Sequence, residues 1–344
     1  MRILILSTFD TFGGAAIAAM RLHKAFLKQG AESKMLVQEK KSTVQNVSGL
    51  DTTWFQKKKT LIRFALDRLE FALHEKNKQV RFGYSQASFG VDISKHVLVE
   101  QADVIHIHWV HFGFLSITTL EKLIATKKPI VITMHDMWFF TGGCHYSKNC
   151  LHYTHECGNC EPYVKRPSAD DISHTGWLRK KQLLNTGTIT FVACSEWLAD
   201  TARTSTLLGD KKVLSVPNPI DVGLFHPIEK HNAQEFFNLS PNKYYVLFAA
   251  MKVTDERKGF AYLKEALELL LKAHPEVQDT IELLIFGQED TTEMESIPFK
   301  VTSLGRLSDA SVIAKAYAAA NLFVIPSLED NLPNTVMEAM SCGT

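Results

Sequence analysis

Short runs of aliphatic and β-branched residues alternate along the chain with segments whose apolar positions recur at helical spacing. Residues 2–6 (RILIL) are apolar almost without interruption, which marks a strand covered on both faces rather than one that alternates inward and outward. A Gly13-Gly14 turn and an alanine-rich helix over 15–29 follow, with Gly30 placed to cap its C-terminus. Further strands are predicted at 34–37, 104–108 (VIHIH), 130–134 (IVITM) and 188–193 (TITFVA). The second half restarts the alternation with a strand at 245–249, a helix over 262–273 and a strand at 281–286. It closes with a helix capped by Ser308, with Asp309 in its first turn, and a strand at 322–326. This order predicts an α/β protein of two Rossmann-like domains with parallel sheets. The polar stretch 222–243, after Pro217-Asn218-Pro219, reads as a linker between domains at 1–221 and 244–344. In such sheets ligands bind outside the carboxyl ends of the strands.

Composition narrows the partners. The 344 residues carry 38 Lys and Arg against 37 Asp and Glu, a net charge of +1, which argues against a whole-protein nucleic-acid or membrane-surface binder and leaves only local patches. No apolar run approaches the roughly 18 residues of a membrane span, and the opening strand lacks a basic flank, so the chain is expected in the cytoplasm. Residues 57–81 stand apart, with eight Lys and Arg against three Asp and Glu. Leu61, Phe64, Ala65, Leu69 and Ala72 there share a helical face. One reading is a solvated helix packed on the domain; the other is a patch that touches anionic lipid at the inner membrane face or a lipid-diphosphate substrate.

Four of the six cysteines, Cys144, Cys150, Cys157 and Cys160, lie in a cysteine-rich insert at 141–163. Four thiolates can close a tetrahedral structural zinc site, with His145, His152 and His155 as alternative ligands. A redox or disulfide pair and free thiols are the other readings of the same spacing.

The sharpest chemical signal is residues 326–343, PSLEDNLPNTVMEAMSCG. A strand ends, a polar loop follows, and Pro333 is suited to open a helix whose free N–H groups would bind an anion such as a diphosphate. Asp330 precedes that helix and Glu338 lies within it, either as hydroxyl acceptors or as ordinary capping and surface acids.

This segment resembles the signature of the family 4 retaining glycosyltransferases of the GT-B fold, an acid, seven residues, then Glu-Ala-Met-small-Cys-Gly, matched by Asp330 and by Glu338 to Gly343. The resemblance implies two Rossmann-like domains facing across a cleft, a nucleotide-sugar donor, and a saccharide or polyprenyl-diphosphate-linked acceptor, with no cofactor required for catalysis. It implies that Glu338 binds the ribose and Asp330 the donor sugar, with Asp330 one methylene shorter than the usual Glu and Asn331-Leu332-Pro333 in place of Gly-Phe-Gly. Leu332, Pro333 and Asn334 then fall in the donor-binding turn. Lys252 and Lys258-Gly259 correspond to the family's Arg and Lys-Gly, cations that neutralise the departing nucleoside diphosphate. By the same resemblance, Gly13 and Gly14 lie beside donor phosphate, His135 contacts the donor sugar and its phosphate, and Gly287 ends a strand near the base. His106 is expected to be structural and His108 to face the cleft. Since the family continues past this signature, the second domain is expected to be incomplete. Two rival readings are a sugar-nucleotide epimerase on the same fold and a non-catalytic module stapled by zinc.

Overall fold

The structure, a computed structural model, describes residues 1–252, 255–288 and 294–344. The chain divides into two compact units, Met1–Pro219 and Ile220–Thr344.

In the first unit, seven parallel strands form one sheet in the order β3-β2-β1-β4-β5-β6-β7. They are β1 (Arg2–Phe9), β2 (Glu32–Glu39), β3 (Val47–Gly49), β4 (Val104–Ile107), β5 (Ile130–Met134), β6 (Ile189–Ala193) and β7 (Lys212–Ser215). The crossovers carry helices α1 (Gly14–Lys28), α2 (Trp54–Ala72), α3 (Val97–Gln101), α4 (Ile117–Ala125), α5 (Ile172–Leu184) and α6 (Glu196–Arg203). The continuous apolar run of β1 is explained by cover on both faces. Ile3 and Ile5 pack with Ala19, Met20 and Met35 on one side, and Leu4 and Leu6 with Ile105, Ile107 and Ile132 on the other. Burying each such side chain contributes about 1.5–3 kcal/mol. Helix starts follow local chemistry: the hydroxyl of Ser116 accepts from Thr119 N at 3.1 Å, and that of Ser195 from Leu198 N at 3.1 Å. The strand order reverses direction between β1 and β4, and at such a switch point two crossovers part and leave a crevice at the carboxyl edge.

The second unit holds a parallel sheet in the order β10-β9-β8-β11, built from β8 (Tyr244–Lys252), β9 (Ile281–Gln288), β10 (Lys300–Ser303) and β11 (Leu322–Phe323). Its helices are α7 (Lys230–Phe236), α8 (Phe260–Ala273), α9 (Ala310–Ala319) and α10 (Asn334–Ser341). Tyr245, Leu247 and Phe286 pack toward Tyr317 of α9, while Val246, Phe248 and Ile285 pack toward Phe260, Leu263 and Leu267 of α8. Residues 222–243, read from the sequence as a linker, carry α7 and belong to this unit: Ala233 packs with Ala318 and Ala319. The cap of α9 also differs from expectation. Asp309, not Ser308, is its N-cap and accepts from Ser311 N at 2.8 Å.

Candidate functional site

In the second unit the chemistry gathers at the carboxyl ends of β8 and β11. After β8 the chain turns through residues 256–258 to Gly259, where α8 begins. Gly259 has φ +72, and a Cβ there would lie 1.9 Å from the carbonyl oxygen of Pro326. Only glycine lets this turn pass so close to the loop after β11. Leu328 N donates to Arg257 O at 2.9 Å, which fastens the two loops together. Asp330 then takes an ion pair from the Lys258 ammonium, while Arg257 Nη1 stands 3.4 Å from its other oxygen and donates to Glu329 O at 2.8 Å. One carboxylate, 16% exposed, thus draws an ammonium and a guanidinium to the same edge. Lys252 ends β8, and its side chain lies outside the described residues.

Helix α10 starts one residue later than the sequence suggested: Pro333 is its N-cap, with φ −62 and ψ 135, and Asn334 its first residue. Leu332 just before it is in the left-handed region at φ 44. Glu338 is not a surface acid. It is buried, and its Oε2 accepts from the hydroxyl of Tyr317 at 3.1 Å. Gly287, at φ +136, faces a backbone requirement of its own, because a Cβ there would sit 1.8 Å from Ala250 O on the neighbouring strand.

In the first unit Gly13 (φ +88) is the N-cap of α1, which starts at Gly14. A Cβ at Gly13 would meet nothing within 4 Å, so glycine there serves the backbone turn and leaves the space beside the carboxyl end of β1 open. Thr8 crosses the switch point, its N donating to Trp109 O at 2.8 Å and its hydroxyl to His111 O at 3.0 Å.

Four strand ends meet beside this point. His135, following β5, is partly buried, with its Nε2 2.9 Å from Nδ1 of His108. On its other side Cys194 Sγ, following β6, lies 3.7 Å from Nδ1 and donates to Asn218 Oδ1 at 3.1 Å. Burial pushes His135 down to about 4, although Asp136 opposes the shift, so its imidazole is neutral near pH 7. His106 is held at about 4 by burial and by His135, and hydrogen-bonds Thr133 Oγ1 at 2.8 Å, consistent with a structural role. His108 is buried, its free-base form favoured first by burial and then by His106 and His135. Asp136 anchors the whole turn. It accepts from Trp138 N at 2.9 Å, Trp109 Nε1 at 3.1 Å and His145 Nδ1 at 2.7 Å. Burial pushes its pKa up, but the charge and hydrogen bond of His145 outweigh this, and it stays below the usual carboxylate range.

The four clustered cysteines line one small cavity with Tyr84, Tyr153 and Tyr163, of about 20 Å³, large enough for one water-sized group. All are free thiols. Among the described residues no group of three or more His, Cys, Asp or Glu side chains is arranged to hold a metal ion, so the geometry lends the zinc reading no support. Burial, first among the causes, pushes the thiols of Cys157 and Cys160 up to about 11 and about 12.

Sequence reasoning missed Arg257, Tyr317, Asn218 and the anchoring role of Asp136. Arg257 adjoins Lys258 in a charged turn and carried a faint signal; the others are set by side-chain contacts, 2 to 27 residues apart, that no local pattern announces.

Solved structures share this architecture. A sucrose-phosphate synthase from Thermosynechococcus elongatus superposes with a TM-score of 0.59 at 16% identity, over 100% of this chain and 80% of that one. HepE from Anabaena, solved in complex with UDP-glucose, gives 0.57 at 12% identity over 100% and 79%. WaaG, a glycosyltransferase involved in lipopolysaccharide biosynthesis, gives 0.56 at 11% identity over 100% and 79%. The two Rossmann-like units are those of a GT-B glycosyltransferase fold. Residues 12–224 match Glycosyltransferase Family 4 and residues 243–344 match Glycosyl transferases group 1, and the chain belongs to family 4. The putative colanic acid biosynthesis glycosyl transferase WcaC of Escherichia coli K12 is 23% identical, over 100% of this chain and 82% of that protein. The D-inositol 3-phosphate glycosyltransferase of Segniliparus rotundus is 28% identical over 144 residues, which is 39% of this chain and 31% of that protein.

Proposed function

We propose that the chain is a retaining glycosyltransferase that moves a hexosyl group from a nucleotide-sugar donor to a saccharide or lipid-linked acceptor in the synthesis of a surface polysaccharide. The observation that carries this reading is the Lys258–Asp330–Arg257 cluster beside the acid-to-Glu338 signature, at the carboxyl edge of a parallel sheet. In the reaction the bond from the sugar C1 to the diphosphate oxygen breaks. The acceptor oxygen bonds to C1 on the same face, and the acceptor proton passes to the departing diphosphate. Negative charge grows on that leaving group, and Lys258 and Arg257, held ready by Asp330, stabilise it in a partly dehydrated setting. Lys252 is proposed to add a third positive charge. Neutral His135, with Nε2 engaged by His108, suits a hydrogen bond from Nδ1 to the donor sugar or phosphate in place of its long contact with Cys194. Glu338, oriented by Tyr317, is proposed to accept from ribose hydroxyls, and Gly13 and Gly14 to admit phosphate close to the backbone. WcaC, a putative enzyme of colanic acid biosynthesis, supports the polysaccharide setting.

The test is a panel of UDP-, GDP- and ADP-sugars scored for donor turnover. Lys258→Ala is expected to lower turnover at least about 100-fold, the scale of losing one charge-stabilising donor. Turnover near that of the unaltered protein would refute the role.

A further inference from the structure

Helix α2 turns an apolar side outward. At about 100° per residue, Trp54, Phe55, Leu61, Ile62, Leu69 and the C-cap Leu73 fall within one arc of about 120°. Each is more than half exposed, Phe55 at 71% and Leu61 at 63%. The rest of the circumference, packed on the unit, holds Asp67 and Phe71, with Arg68 at its border with the arc. Of the two readings the sequence leaves open for this stripe, the structure turns Leu61 and Leu69 outward rather than onto the domain. The reason is a buried guanidinium anchored outside the helix. Arg68 Nη2 lies 2.5 Å from Asp67 Oδ2, and Arg68 Nη1 donates to the carbonyls of Arg81 and Tyr84 at 2.8 Å each. Phe71 stacks on Tyr84 at 4.2 Å between ring centroids. Rotating the apolar arc inward would pull the buried Arg68 guanidinium off the carbonyls of Arg81 and Tyr84. The helix is also formed in advance, with a capping box between Thr53 and Gln56 at its start.

We propose that this face docks the protein on an anionic phospholipid surface, the apolar arc below the headgroups and the lysines on the phosphates. Lys57 and Lys59 project to opposite edges of the arc, where long side chains can reach the headgroup layer. Lys58 lies over the Trp54 ring at 3.7 Å, next to Phe55, so aromatic rings and ammonium groups share one end of the helix. The acids nearby do not cancel this charge: Asp67 is spent on Arg68, Glu75 on Arg81, and Glu70 accepts from Ser88. A second copy paired in parallel along α2 would set lysines 57–59 against their equivalents, like charge against like.

The experiment is co-sedimentation of the full chain with phosphatidylcholine vesicles, with and without phosphatidylglycerol. It compares the unaltered protein, a Leu61→Ser, Ile62→Ser, Leu69→Ser variant and a Lys57→Gln, Lys58→Gln, Lys59→Gln variant. All six positions are exposed, and thermal melts confirm that both variants fold. Binding is expected on the anionic vesicles, weakening as salt rises. Removing three lysines should cost roughly 100-fold in partitioning, at roughly fivefold each, and the serine variant at least about 10-fold. The proposal is overturned if the protein stays in solution, if the serine variant binds as well as its parent, or if the face instead drives dimers that vesicles do not compete away. Since binding is read without turnover, failure here leaves the glycosyl-transfer reading standing, and the converse holds.

Discussion

Acid is expected to unfold the first unit at a pH where most α/β domains are still stable, because its core encloses imidazoles that resist protonation. His106 and His135 are both pushed down to about 4, chiefly by burial, whereas an imidazole in the unfolded chain titrates near 6.5. Between those values the unfolded state binds more protons. Stability is therefore complete above about pH 6.5 and drains away as the pH falls toward about 4. At 1.36 kcal/mol for each unit of separation, one such histidine removes about 2 kcal/mol at about pH 5. The cleanest perturbation is His106→Gln, which keeps a neutral polar side chain for Thr133 and abolishes the titration. All five tryptophans, Trp54, Trp109, Trp138, Trp177 and Trp197, belong to the first unit, so urea denaturation followed by their fluorescence reports on that unit alone. Measured at about pH 7 and about pH 5, the unaltered protein should lose about 2 kcal/mol more than His106→Gln. Parallel losses in the two proteins would refute the assignment of the titration to His106.

Other outcomes are expected at the second unit and the cysteines. Tyr317→Phe removes the hydrogen bond to buried Glu338 and should cost about 1–3 kcal/mol of stability, read by thermal denaturation. An unchanged melting curve would mean that Glu338 has another equivalent partner. Gly259→Ala puts a methyl group 1.9 Å from Pro326 O at a positive φ, so the loop bearing Asp330 must move. It should lower stability by more than about 1 kcal/mol and raise the donor KM; an alanine variant with normal stability and KM would count against that close approach. Reaction with a thiol reagent under denaturing conditions without reductant should return six thiols for each chain, and fewer would mean that disulfides form. In the native protein Cys194, buried and pushed up to about 12, should react far more slowly than half-exposed Cys150.

How much was legible in the sequence follows from which contacts each element needs. Strands with neighbours on both sides, such as β1, β5 and β9, must be apolar almost throughout, and their runs announced them. The three strands that went unread, β3 (VSG), β7 (KVLS) and β10 (KVTS), are all sheet edges. An edge strand joins a single ladder and keeps a wet side, so little apolar signal accumulates. Of the candidate site residues named from the sequence, His135, Lys258 and Asp330 follow strand ends and Glu338 lies in α10. What escaped was pairing across distance. Arg257 and Asp330 are 73 residues apart, and nothing local says that one carboxylate will collect two cations. The orientation of α2 stayed open in the sequence for the same reason. Its apolar spacing is genuine, but the carbonyls of Arg81 and Tyr84 decide which side faces inward.

The three donors on Asp136 have a mechanical meaning for the neighbouring insert. His145 directly follows Cys144, and its grip on Asp136 makes the wall of the cysteine cavity and the turn bearing His135 parts of a single brace. Any chemistry at those sulfurs that pulled His145 away would leave a buried carboxylate short of a hydrogen-bond partner and slacken the hinge on which His135 is hung. Damage at the thiols would thus be felt as lost alignment of an imidazole they never touch.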